Sequence, residues 1–204
     1  MLRLNVSLGC VLACLVFLQA CSDSISLTPI PEDGVILAFG DSLTVGVGTS
    51  GAYSYPAVLS QLSGHNVMGA GVSGEETAQG LIRLQKVMDE VKPGLLILLE
   101  GGNDILRNKN LHNTKQNLAA MIELAHARDV QVVLIGVPEK KIFSSVAPLY
   151  EELAEQYDLV FADDLLSGLL RDNEYKSDAV HLNQHGYRVM AESIHQLLVK
   201  HGAL

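Results

Sequence analysis

Residues 95–100 read Leu95-Leu96-Ile97-Leu98-Leu99-Glu100, followed by Gly101-Gly102-Asn103-Asp104. Five large aliphatic side chains stand in a row with no polar residue between them. A strand with one face in water alternates apolar and polar residues. A strand covered on both faces does not, and that is the condition of a central strand in a parallel sheet. Pro93-Gly94 breaks the chain before this run and Gly101-Gly102 breaks it after.

Working outward, short apolar runs alternate with helical patterns. Strands are expected at 35–39, 65–71, 95–100, 130–137 and 159–162, and helices at 55–62, 75–91, 113–129, 146–158 and 184–202. In 75–91 the apolar residues Leu81, Leu84, Val87, Met88 and Val91 keep helical spacing. Gly202 is placed to end the last helix. Strict strand–helix alternation predicts an α/β fold, a three-layer sandwich around a five-stranded parallel sheet. Such sheets bind ligands outside the carboxyl ends of their strands.

The chain has 204 residues and 48% hydrophobic content, enough for one domain with a substantial core. A net charge of −9, with Lys140-Lys141 the only adjacent basic pair, argues against nucleic acid as a partner. Arg3 is the only charge before Asp23, and an apolar run of signal-peptide length lies between them. It ends in Leu18-Gln19-Ala20-Cys21, which resembles a bacterial lipobox. The expectation is therefore a signal at 1–20, a lipid-bearing Cys21, a tether over 21–34 and a folded domain over 35–204. The alternatives are a secretory signal cut near Ala20 and an uncleaved helical anchor. Loss of residues 1–20 removes Arg3 and takes the charge from −9 to −10. It also removes Cys10 and Cys14, which leaves the domain without a disulfide. This reading implies an exported, membrane-anchored protein of the cell envelope, in the periplasm; the chain is expected to be a monomer. Ser22, rather than Asp, after the cysteine is compatible with outer-membrane sorting.

The polar residues gather where the strands end. Ser42 follows the first strand, Gly74 follows the second, and Asn103 follows the third. Late in the chain, Asp178 and His181 are three residues apart, close enough for the carboxylate to accept from the imidazole. Serine is a weak nucleophile until a base takes its proton, and His181 fits that need. Asp178 would hold the ring. The amides of Gly74 and Ser42 and the Asn103 carboxamide would receive the oxyanion. Asp41 and Asp104 are expected to brace their loops, and Tyr53 and Tyr55 to line or buttress the pocket.

The segments "FGDSLTVG", "GVSGEE", "GGND" and "DAVH" resemble, in order, the four blocks of the SGNH (GDSL) hydrolases. The similarity is strongest to the bacterial thioesterase I/lysophospholipase L1 and arylesterase branch. It implies a flavodoxin-like α/β/α fold with Ser42, Asp178 and His181 as triad. It implies Ser42, Gly74 and Asn103 as oxyanion hole, with no cofactor and no metal. The expected activity is hydrolysis of carboxylic esters or thioesters, with a small ester or lipid as substrate. A carbohydrate O-acetyl esterase or acyltransferase on the same triad is the alternative within enzymes. An envelope binding lipoprotein is the alternative outside them. The chain departs from the family at Gly69, where Asn is usual, and at Glu75-Glu76, where Asp/Glu-Thr is usual. The segment "PEKKIFSS", which helps wall the acyl site in this branch, is short.

Two rival motifs are weaker. Gly46-x-Gly48-x-x-Gly51 matches a dinucleotide fingerprint, but its first glycine does not follow the strand directly and no acidic residue lies between Gly51 and Glu75. These glycines are instead expected to form a flexible loop beside the site. His181-x-x-x-His185 with Asp178 has zinc-like spacing but lacks the Glu of the metalloprotease motif. His185 is expected to open the last helix.

Overall fold

The computed structural model describes residues 25–140 and 145–204. Five parallel strands, β1 (Val35–Gly40), β2 (Asn66–Gly71), β3 (Leu95–Leu99), β4 (Gln131–Ile135) and β5 (Val160–Ala162), form one sheet in the order β2-β1-β3-β4-β5. This is the flavodoxin-like order. All five residues of β3 are buried, as its unbroken apolar run requires. Each such aliphatic side chain contributes about 1.5–3 kcal/mol by leaving water. β2, at the sheet edge, alternates imperfectly and exposes Met68.

The helices are α1 (Ser42–Val45), α2 (Tyr55–Ser63), α3 (Thr77–Val91), α4 (Gly102–Leu106), α5 (Leu111–His126), α6 (Pro148–Gln156), α7 (Leu165–Arg171) and α8 (Gln184–Lys200). α2 packs with α8, and α7 joins α8; α3 packs with α5, and α5 with α6. The chain turns one way from β1 to β2 and the other way from β2 onward. With right-handed crossovers this puts the two helix groups on opposite faces of the sheet. The turning point lies between β1 and β3, and the loops that leave these two strands carry Ser42 and Asn103.

Residues 25–34 do not hang free as a tether would. Leu27 and Ile30 are buried. The Leu27 amide donates to the His201 carbonyl at 2.7 Å and the Ile30 amide to that of Ala203 at 2.9 Å. Gln131 Nε2 donates to the Thr28 carbonyl at 2.9 Å. This strap lies under the amino ends of the strands and ties the two ends of the described chain together. The expected signal at 1–20 and Cys21 lie outside the described residues, as do 141–144 of the "PEKKIFSS" segment. No described helix is long and apolar enough to cross a membrane.

Candidate active site

The Asp178-to-His181 segment is a tight turn built by the aspartate itself. Asp178 Oδ1 accepts from the amides of Val180 and His181 at 2.8 and 2.9 Å. The turn is closed by the Ser177 amide donating to the His181 carbonyl at 3.0 Å and by a bridge between Lys176 and Leu182. Asp178 Oδ2 is thereby left 2.8 Å from His181 Nδ1. Partial burial pushes the Asp178 carboxyl up, but the Val180 amide, the His181 side chain and the His181 amide outweigh it and hold it below the usual range. An ionised Asp178 accepts from Nδ1–H. The Nε2 lone pair then points at Ser42 Oγ, 3.0 Å away.

Ser42 is the first residue of α1, separated from β1 by Asp41 alone. Asp41 caps this short helix, its Oδ1 accepting from the Leu43 amide at 3.0 Å. Its other oxygen, Oδ2, accepts from Asn103 Nδ2 at 3.2 Å. That bond uses one of the two carboxamide hydrogens and leaves the second available to a ligand. Burial pushes the Asp41 carboxyl up to about 6, against the pull of the Leu43 amide and the His181 charge.

Gly74 sits at φ +77°, a conformation that suits glycine. Its carbonyl accepts from Arg107 Nη1 at 3.0 Å. Arg107 also binds Glu76 at 2.7 Å, and Lys109 binds the other Glu76 oxygen at 3.0 Å. These two cations hold the Glu76 carboxyl below its usual range, Arg107 first. One departure from the family pattern thus has a local partner: Glu76 is pinned from the loop after α4.

Its neighbour Glu75, an acid that the family pattern allows, faces inward. Arg83 Nε binds both Glu75 oxygens at 2.9 and 3.1 Å. Its Nη1 donates to the Ala70 carbonyl at 3.1 Å and its Nη2 to that of Gly40 at 3.4 Å, with the guanidinium 3.9 Å over the Phe39 ring. One arginine therefore grips the ends of β1 and β2 and the residue after Gly74. Behind it, Glu100 is fully buried, and its Oε1 meets no N–H or O–H donor among the described residues. Glu75 is within hydrogen-bonding reach. Burial, with the Asp41 and Glu75 charges, pushes the Glu100 carboxyl up to about 10, so at neutral pH its own proton supplies the missing donor to Glu75.

Ser42, Gly74, Asn103 and His181 line one cavity of about 270 Å³. The rest of its wall is largely apolar, including Leu43, Val47, Ile105, Leu106, Leu166 and Leu170. The amides of Ser42 and Gly74 have no partner among the described residues. The structure therefore brings together five of the six residues singled out in the sequence. The sixth, Cys21, is outside the described residues. Sequence reasoning missed Leu166 and Leu170 on α7, whose apolar run "LLSGLL" was the available signal, and the two positioning arginines.

Asp104 braces its loop by accepting from the Thr77 amide and hydroxyl at 2.9 and 2.7 Å. Tyr55 is fully buried and contacts Thr44 at 3.3 Å, a buttress, whereas Tyr53 is exposed. The loop expected to be flexible around Gly46 and Gly48 is packed. A Cβ at Gly48 would come within 2.2 Å of Ser177 Oγ and 2.3 Å of the Leu182 carbonyl, and Tyr187 donates to the Val47 carbonyl at 2.8 Å. His185 lies in the first turn of α8 and faces Glu174 at 3.4 Å. No group of three or more His, Cys, Asp or Glu among the described residues is placed to hold a metal.

This chain is 32% identical over 125 residues to the esterase TesA of Pseudomonas aeruginosa, covering 59% of this chain and 62% of that protein. It thus spans less than two thirds of that relative. It is 30% identical over 177 residues to an arylesterase of Vibrio mimicus, covering 81% and 88%. Among solved structures it resembles AlinE4, an SGNH-hydrolase family esterase, with a TM-score of 0.64, 32% identity, and coverage of 84% of this chain and 97% of that one. The GDSL-like lipase/acylhydrolase family pattern matches residues 38–189, and the chain belongs to that family.

Proposed function

We propose that this protein is a serine esterase hydrolysing carboxylic esters or thioesters through an acyl-enzyme. The observation that carries the reading is the hydrogen-bonded series Asp178–His181–Ser42, at 2.8 and 3.0 Å, opening on one apolar cavity. Ser42 Oγ attacks the carbonyl carbon while His181 Nε2 takes its proton, and Asp178 stabilises the imidazolium. The amides of Ser42 and Gly74 and the Asn103 carboxamide receive the oxyanion. The imidazolium protonates the leaving alcohol or thiol. Water, deprotonated by His181, then releases the acid. The cavity suits an acyl chain or aryl group, in keeping with the esterase and arylesterase names of the relatives. On this reading Cys21 bears lipid and holds a monomeric enzyme to an envelope membrane.

Purified protein is expected to hydrolyse p-nitrophenyl esters, with a panel graded by chain length giving the acyl preference. A fluorophosphonate probe is expected to label Ser42, and EDTA to leave turnover unchanged. Undiminished turnover by Ser42→Ala would sink the mechanism.

A further inference from the structure

The strap and the active site lie at opposite ends of the sheet. Ser42, Gly74 and Asn103 stand just beyond the carboxyl ends of β1, β2 and β3. The strap's partners stand at the other end: Gln131 opens β4, His65 precedes β2, and His201 and Ala203 follow α8. Because all five strands are parallel, these are two opposite poles. The six residues of β1 alone separate them by about 20 Å. Leu27 and Ile30 are buried beneath the sheet, so the chain leaves the domain from a fixed place at the far pole.

From Ile25 back to Cys21 there are four peptide links. Fully extended they reach at most about 14 Å. A domain of this size is on the order of 40 Å across. So short a link cannot pass round it and bring the opposite pole to the anchoring surface.

We infer that the active-site mouth faces away from the membrane to which residue 21 is attached, so that the enzyme takes its ester from the aqueous phase or an opposing surface rather than from its own bilayer. This rests on Cys21 as the lipid-bearing residue. It narrows the substrate class: esters that diffuse as monomers, or that another surface presents, are accessible, and long-chain esters dissolved in the anchoring bilayer are not.

The test uses the full chain purified from membranes, with lipid on Cys21 checked by mass spectrometry, in phosphatidylcholine vesicles carrying a fluorescence-quenching lipid. A dye at Asp158→Cys, on the strap side, is expected to be quenched. A dye at Asn108→Cys, beside the mouth, is expected to keep most of its emission. A 30-residue Gly/Ser linker inserted between Ser24 and Ile25 is expected to abolish the difference. The linker is also expected to raise hydrolysis of a long-chain fluorogenic ester in the same vesicles at least tenfold, with a butyrate ester in water cleaved equally. Equal quenching at the two sites without the linker overturns the inference. If Cys21 carries no lipid, the anchoring reading fails separately. Orientation is then read on Cys21→Ser protein held by a histidine tag at residue 21 on nickel-chelating lipid, with the same two dyes and the same criterion.

Discussion

Asp41, the residue before the nucleophile, holds the carboxamide of Asn103 at 3.2 Å across 62 residues of sequence. Nucleophile and oxyanion donor are thus set by one carboxylate. In Asp41→Asn the new amide can still accept from Leu43, but it then turns its own NH2 toward the NH2 of Asn103. The Asn103 donor loses its aim. The expected result is a fall in kcat of about a hundredfold with KM changed little, as for loss of one oxyanion donor. Steady-state kinetics on a p-nitrophenyl ester checks it, and a change confined to KM would contradict it.

The same carboxyl makes stability depend on pH. Its value is raised in the fold from the usual 3.8 to about 6, with burial the main cause. A raised acid favours the folded state while it stays protonated. That contribution is complete below pH 4 and is lost as pH rises through 6. The step corresponds to about 3 kcal/mol. Urea unfolding from pH 4 to 7 is expected to show a steeper decline in the wild type than in Asp41→Asn, which keeps Glu100 and loses only the Asp41 contribution. Parallel profiles for the two proteins would mean that Asp41 is ionised throughout.

Gly48, at φ +100°, carries the His181 turn from below. A methyl group there meets Ser177 and the Leu182 carbonyl, and backbone cannot yield as a flexible side chain can. Gly48→Ala is expected to cost about 1–2 kcal/mol in strain. It should also move His181 away from Ser42 and cut kcat at least tenfold. Thermal unfolding and kinetics measured on one preparation separate the two effects. Unchanged kcat in a destabilised variant would show that the contact does not reach His181.

What the sequence made legible follows from where information is local. β3 announced itself because both of its faces are buried. Ser42, Gly74 and Asn103 were legible because each follows a strand, and Asp178 and His181 because three residues separate them. The strap was not legible. Leu27 and Ile30 lie in a stretch with Pro29 and Pro31 and lack periodicity, and the carbonyls that receive their amides are more than 170 residues away. α7 is a single short apolar run with Gly168 inside it, too brief to show a period. Arg83 and Arg107 looked like ordinary helix-face and loop cations. Their roles depend on carbonyls that the fold brings to them.

Glu100 gives the sharpest case of a role hidden from sequence. A buried carboxyl beside Glu75 and Asp41 stays neutral, and its proton bonds to the Glu75 carboxylate that Arg83 holds. Glutamine reproduces that donor and shape. Glu100→Gln is expected to keep kcat within threefold, whereas Glu100→Leu leaves the Gly101 amide, now bonded at 3.3 Å, without its acceptor and costs about 1–3 kcal/mol. The unfolded carboxyl titrates near 4.5 and the folded one near 10. Over that interval the unfolded state has given up a proton that the folded state keeps, so wild-type stability declines as pH rises. Glu100→Gln has no such term. Its advantage over the wild type is expected to widen between pH 5 and pH 8 in urea unfolding. A gap that stays constant would mean that Glu100 is ionised in the fold, and the Glu100–Glu75 bond would then have no proton to form it.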